Sequence, residues 1–210
     1  MSDEYVIFGA GSFAQLITEY LSYSGQGSVA HYLIDDRYVG THCELATQPI
    51  GWSQFCAEQS LAEQKIIFAV GYDNLDQKKQ CLQRLLASDA QLINLNLSSD
   101  VLAPIDWRGT GNVILPGAII EPSVTIGSGN IFWSGSHICH DVRIGDYNFF
   151  AAKSVIGGRS KIGNCNFFGL SSVIRDHIQI GDQITVGMGG VVPSDLSHPG
   201  IYTGMPVKQR

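Results

Sequence analysis

From Ile114 to Val192 an apolar side chain returns every sixth residue: Ile114, Ile120, Ile126, Phe132, Ile138, Ile144, Phe150, Ile156, Ile162, Phe168, Ile174, Ile180, Val186 and Val192. All fourteen are Ile, Phe or Val in a chain that is 44% hydrophobic, so chance would produce the run about once in a hundred thousand trials. A period of eighteen lies within the six. Phenylalanine falls at 132, 150 and 168, Asn130, Asn148 and Asn166 stand two residues before each Phe, and Ser136, Ser154 and Ser172 form another column. Gly127, Gly145, Gly163 and Gly181 each follow an isoleucine. Three hexads per eighteen-residue coil describe a triangular prism of short parallel strands, each column stacking on itself about 4.8 Å per coil. The Ile and Phe column fills the interior, the small or polar residues two places earlier fit a tight inward position, and glycine permits the turns. Residues 112–194 would make four to five coils.

Where the pattern reads Ile-Gly-x-x-x-x, the second half resembles the hexapeptide-repeat acyltransferases. The resemblance implies a left-handed parallel β-helix, a handedness that periodicity does not give, since parallel crossovers are normally right-handed. It also implies trimers of prisms with parallel axes. No long loop interrupts the coils, so a substrate pocket has to come from another domain or subunit.

Composition bounds the rest. The chain has 210 residues, a net charge of −6 and 15% charged residues, which excludes a disordered polyelectrolyte and leaves one or two domains with a real core. No apolar run reaches the roughly 18 residues of a membrane span. The start, MSDEYVIFGAG, carries acids where a signal peptide carries bases, which predicts a cytoplasmic protein. Five cysteines with no CxxC pair suggest reduced thiols rather than disulfides or a zinc site. An acidic chain also makes nucleic acid an unsuitable partner.

The first half reads as an α/β unit. A strand, Tyr5 to Phe8, runs into Gly9-Ala10-Gly11-Ser12-Phe13-Ala14 and then a helical pattern (Ala14, Leu16, Ile17, Tyr20, Leu21) that ends at Ser24-Gly25. This is G-x-G-x-x-A between strand and helix, which brings backbone N–H groups and a helix N-terminus against phosphate. A second strand, His31 to Ile34, ends in Asp35-Asp36, where a Rossmann-like unit places an acid on a ribose hydroxyl. A third, Ile66 to Val70, ends in Gly71-Tyr72, a helix spans about 74–86, and a fourth strand spans 91–97. Four strands in fewer than 100 residues make an NAD-binding domain the weaker reading. Tight turns with solvated acids are the plain alternative.

The expected organisation is a Rossmann-like nucleotide-sugar-binding domain over 1–97, a linker over 98–111, an all-β left-handed β-helix over 112–194 and a tail over 195–210. Taken together, VIFGAGSFA, LIDD, IGSG, ICHDVRIGD, FAAKSVIGG and YTGMPVK resemble the nucleotide-sugar N-acetyltransferases of bacterial glycan and O-antigen synthesis and their relatives, the sialic acid O-acetyltransferases. The resemblance spans nearly the whole chain. It implies acetyl-CoA as co-substrate, a nucleotide-linked amino sugar as acceptor, no metal and a homotrimer.

Acetyl transfer to an amine needs a proton acceptor and donors for the oxyanion. His140 is the candidate base, because it lies two residues past interior Ile138 and should point outward near a corner of the prism. Asp141 follows it. In the resembling family His-Asp/Glu at this place supplies the base and its orienting acid, and the backbone N–H at the position of Gly158, eighteen residues on, contacts the acetyl carbonyl. By the same resemblance the nucleotide sugar would meet Gly9, Gly11, Ser12, Phe13, Asp35, Asp36 and Gly71. Coenzyme A would pass Gly158, Leu170, Ser171, Gly187, Met188 and Gly189, with Lys208 and Arg210 near its phosphates. A surface histidine at a turn is the plain alternative for His140, and a solvated acid for Asp141. His137 reads as structural or surface, and Cys139 as an inert small residue. The three-histidine zinc site of gamma-class carbonic anhydrases, which share this prism, is not evident.

Two positions depart from the family. Phe149 stands where many members carry a second histidine, and Phe13 where the nucleotide loop often has one. Phosphate contacts through backbone amides would survive the second change. Two other functions stay open: O-acetylation of a sugar hydroxyl, and a non-catalytic nucleotide-binding trimeric scaffold.

Overall fold

The computed structural model describes residues 3–40, 45, 47–71, 75–101 and 103–210. The chain divides into two compact units, Met1–Leu95 and Asn96–Arg210.

The first unit is built on a five-stranded parallel sheet. Its elements run β1 (Glu4–Phe8), α1 (Ser12–Ser24), β2 (Ser28–Ile34), β3 (Ile50–Gly51), α2 (Trp52–Glu58), β4 (Lys65–Phe68), α3 (Leu75–Leu86) and β5 (Gln91–Leu92), with strand order β3-β2-β1-β4-β5. β1 is central, and its Tyr5 to Phe8 are all buried, as a strand covered on both faces requires. α1 turns Phe13, Ala14, Ile17 and Leu21 inward and ends at Gly25, whose φ of 66° gives the left-handed cap that returns its N–H to Leu21 and Ser22 carbonyls. β3 and α2 were not visible as sequence patterns. The stretch 91–97, expected as one strand, is two: Gln91–Leu92 joins this sheet, and Leu95–Asn96 pairs in another. Residues 72–74 and Cys43 lie outside the described residues.

The second unit is a parallel β-helix. Within the repeat, strands two or three residues long stack into three sheets, and successive strands of a sheet pair in parallel eighteen residues apart, as Thr125 with Arg143, Ile131 with Phe149 and His137 with Val155. All fourteen residues of the six-residue series are buried. The rings of Phe132, Phe150 and Phe168 stack with centroids 4.8 and 5.0 Å apart and their planes nearly parallel, so the coil spacing is also a ring spacing. The asparagine column is a hydrogen-bonded ladder: Asn148 Nδ2 donates to Asn130 Oδ1 (3.0 Å) and to the Gly163 carbonyl (2.9 Å), and Asn148 Oδ1 accepts the Asn166 N–H (2.9 Å). Buried amides are thereby satisfied from coil to coil.

Each corner of the prism carries a left-handed residue every eighteen positions. One column is Gly117, Gly135, Lys153 (φ 60°), Ser171 (55°) and Gly189; another is Ser123 (64°), Asp141 (61°), Arg159 (60°) and His177 (57°). Non-glycine residues accept this geometry here because the coil above and below fixes the turn.

The prism exceeds its expected bounds. Within 98–111, read as a linker, Asp106–Trp107 pairs with Thr125–Ile126 and Val101 bridges Ile120. Within 195–210, read as a tail, Gly200–Gly204 pairs in parallel with Ile184–Val186, and Val207–Gln209 folds back antiparallel on it. These segments close the open ends of the column, where unpaired strand edges would otherwise be exposed. No helix among the described residues is long and apolar enough to cross a membrane.

Candidate functional site

In the first unit the glycine turn opens a cavity of about 350 Å³, within the range of small-molecule pockets. Gly9, Gly11, Ser12, Phe13, Asp35 and Gly71 line it, together with Arg37, Tyr38, Gln77 and Cys81, which sequence reasoning missed. Gly9 has φ 137°, and a Cβ there would fall 2.3 Å from the Ala69 carbonyl oxygen, so only glycine lets β1 turn into the cavity against β4. Gly11 is the N-cap of α1 and supplies no side chain to cover the helix end.

The acid pair is already engaged. Asp35 is buried, and Arg37 Nε and Arg84 reach its two oxygens at 3.0 and 2.8 Å. The hydrogen bond from Arg37 outweighs burial and, with the Arg84 charge, lowers the carboxyl to about 2. Asp36 points away to α2, accepting the Ser53 N–H (2.9 Å) and hydroxyl (2.6 Å), which hold its carboxyl below the usual range. The expectation that Asp36 faces a nucleotide therefore changes. Its carboxylate caps α2 from outside, and the charge beside the glycine turn is the Asp35–Arg37 pair. Arg37 sits two residues past Asp35, a signal in plain view, whereas Arg84 becomes a partner only through the fold.

In the second unit His140 and Asp141 occupy a corner. Asp141 takes the left-handed position, which turns its carboxylate back so that Oδ2 lies 2.8 Å from His140 Nδ1. That bond, then the charges of His140 and Arg159 (3.6 Å), lowers the Asp141 carboxyl. The other ring nitrogen faces Gly158: a Cβ there would lie 2.9 Å from His140 Nε2 and 3.0 Å from Cε1. The Gly158 N–H has no hydrogen-bond partner among the described residues.

Glu121, one coil back, was missed. Its Oε2 accepts the His140 N–H (2.8 Å) and its Oε1 lies 2.7 Å from His137 Nε2. Burial opposes ionisation of Glu121, but these two hydrogen bonds outweigh it and lower the carboxyl. Stacking at eighteen residues sets Glu121 under Cys139, next to His140, so only the coil period could have revealed it. Burial and the Glu121 charge push the Cys139 thiol up, away from nucleophilic thiolate.

The remaining residues lie at another corner. Leu170 and Met188 are exposed there beside Ser171 and Gly189, and the Gly189 N–H donates to the Leu170 carbonyl (2.8 Å). Within one chain this corner and the His140 corner flank opposite edges of the sheet that holds strands His137–Ile138, Val155–Ile156 and Val173–Ile174. Gly187 packs close against Thr203, which pairs with Lys208 in the closing hairpin. Arg210 Nε donates to Thr203 Oγ1 (2.7 Å). Phe149 is buried, its ring 5.3 Å from Phe167 and 5.6 Å from Trp133, and so serves an aromatic stack.

Residues 123–158 match the model of the bacterial transferase hexapeptide, six repeats. Over the whole length, the acetyltransferase domain of PglB from Neisseria gonorrhoeae FA1090 is similar, with 21% identity, TM-score 0.81 and 99% of each chain covered. PerB from Caulobacter crescentus, solved with CoA and GDP-perosamine, gives 22% identity and TM-score 0.83 over 99% of this chain and 97% of its own. WeeI from Acinetobacter baumannii AYE gives 18% and 0.69 over 99% and 100%. At these identities the likeness establishes the fold alone. No curated protein sequence matches it.

Proposed function

We propose that the chain is an acetyl-CoA-dependent N-acetyltransferase acting on the amino group of a nucleotide-linked 4-amino-4,6-dideoxy sugar. One observation carries the reading: His140 is fixed through Nδ1 by Asp141 while its Nε2 lies against Gly158, close enough that a Cβ there would fall 2.9 Å away. The similarity in fold to PerB, whose structure holds CoA and GDP-perosamine, supports the substrate classes.

In this reading the amine attacks the thioester carbonyl, and a C–N bond forms as the C–S bond breaks. His140 Nε2 takes the amine proton and returns it to the departing thiolate. Asp141 fixes the tautomer and stabilises the imidazolium. The unpaired Gly158 N–H meets the developing oxyanion. The strand order of the first unit, which matches that of doubly wound dinucleotide-binding sheets, supports a Rossmann-like reading of it. The diphosphate rests on the N–H groups of Gly11 and Ser12 at the start of α1, with Arg37 as the nearby cation, while the Gly9 N–H stays in the sheet on the Leu33 carbonyl. Coenzyme A lies along the face leading to Leu170, Ser171, Gly187, Met188 and Gly189, with Lys208 beyond. Because that corner and His140 flank opposite edges of one sheet, two prisms of a trimer complete one site.

The test is thiol release from acetyl-CoA with UDP-, dTDP- and GDP-linked 4-amino sugars. Turnover with one of them, lowered about 10²- to 10⁴-fold in His140→Ala at unchanged melting temperature, is the expected result. Full turnover in His140→Ala would remove the base assignment.

A further inference from the structure

Beside the corner lies a group of side chains that the proposed transfer does not use. Glu121, His137 and Cys139 each present one ligand atom, all within 4.8 Å of one another, and each residue is part-buried. The coil brings them together. Cys139 stacks one coil above Glu121, directly after the strand His137–Ile138, and His137, two residues earlier, turns its side chain to the same face.

We propose that these three side chains form a binding site for a borderline divalent cation of the Zn²⁺ type, with water in a fourth position. A thiolate, an imidazole and a carboxylate together select zinc or cobalt over magnesium or calcium. Bonds of about 2.0–2.3 Å place tetrahedral ligand atoms roughly 3.3–3.8 Å apart. Closing the trio on an ion therefore takes side-chain shifts of about an ångström, including opening the His137–Glu121 contact from 2.7 Å. The second Glu121 oxygen is anchored on the His140 N–H, which orients the carboxylate as an outer hydrogen bond orients a metal ligand. Partial burial leaves an entry path. On binding, the Cys139 thiol gives its proton to solvent as the S–metal bond forms. The shift of Glu121 toward the ion draws the His140 backbone with it through that hydrogen bond, which moves the base and slows turnover; this coupling rests on the proposed function.

Cobalt titrated alone into chelator-treated full-length protein is the probe. The expected result is one equivalent per chain, with a thiolate-to-cobalt charge-transfer band in the near ultraviolet that Zn²⁺ displaces. Cys139→Ser should lose the band while keeping its fold and basal turnover, and its turnover should become insensitive to Zn²⁺. His137→Ala should weaken the metal at least tenfold. No band in the wild-type chain, or a band that persists in Cys139→Ser, would overturn the site. A cobalt-binding chain whose turnover ignores Zn²⁺ would overturn the coupling. The spectrum needs no turnover, so its failure is distinct from failure of the transferase reading.

Discussion

One methyl group would change where His140 points. Gly158 has an ordinary backbone conformation, so Gly158→Ala should fold, but its Cβ would press on the imidazole at 2.9 Å. A displacement near 1 Å from productive geometry costs about a hundredfold, and that loss of kcat at unchanged melting temperature is expected from steady-state assays. His140 was legible because the hexad places position 138 inside and position 140 at a corner. Glu121 was not, since nineteen residues separate it from the main-chain N–H that it holds. Asp35 and Asp36 were read as ribose ligands from their place after a strand. Arg84, 49 residues from Asp35, and Ser53, which takes Asp36, come near only in the folded unit.

At the scale of the elements, the prism is held by ladders rather than by long strands. A two-residue strand has little stability of its own, so each coil depends on the column above and below. Asn148→Ala strands the Asn166 N–H and the partners on Asn130 and Gly163. It should cost about 2–4 kcal/mol in denaturant unfolding, above the loss expected for an exposed asparagine. Phe150→Ala should cost about 3–5 kcal/mol, because both stacked neighbours lose a partner. These columns were legible because a period of eighteen is itself the geometry of the coil. The strands outside the repeat were not: Ile50–Gly51 and Asp106–Trp107 are too short for a pattern, and the closing hairpin follows after the period stops.

Across the whole molecule, charge separates the two units. Residues 1–95 hold five basic and eleven acidic side chains, whereas 96–210 hold eight of each. Acid acts on the first unit through Asp35, whose carboxyl is depressed from 3.8 to about 2 in the folded state. The sign follows from proton binding: between those values the unfolded chain binds the proton and the folded chain does not, so stability present above pH 4 is lost as pH falls toward 2. The shift corresponds to about 2 kcal/mol. Asp35→Asn should remove that share of the acid dependence, read from urea midpoints between pH 2 and 5.

The central claim, transfer of acetyl from a thioester to a sugar nitrogen, is tested most directly by the mass of the product after mild alkali. Incubation with acetyl-CoA and a nucleotide-linked 4-amino sugar should yield a product heavier by one acetyl group that alkali leaves intact, as an amide. An acetyl group lost to alkali, as an ester, or no acetylated product with any nucleotide-linked amino sugar, would contradict it.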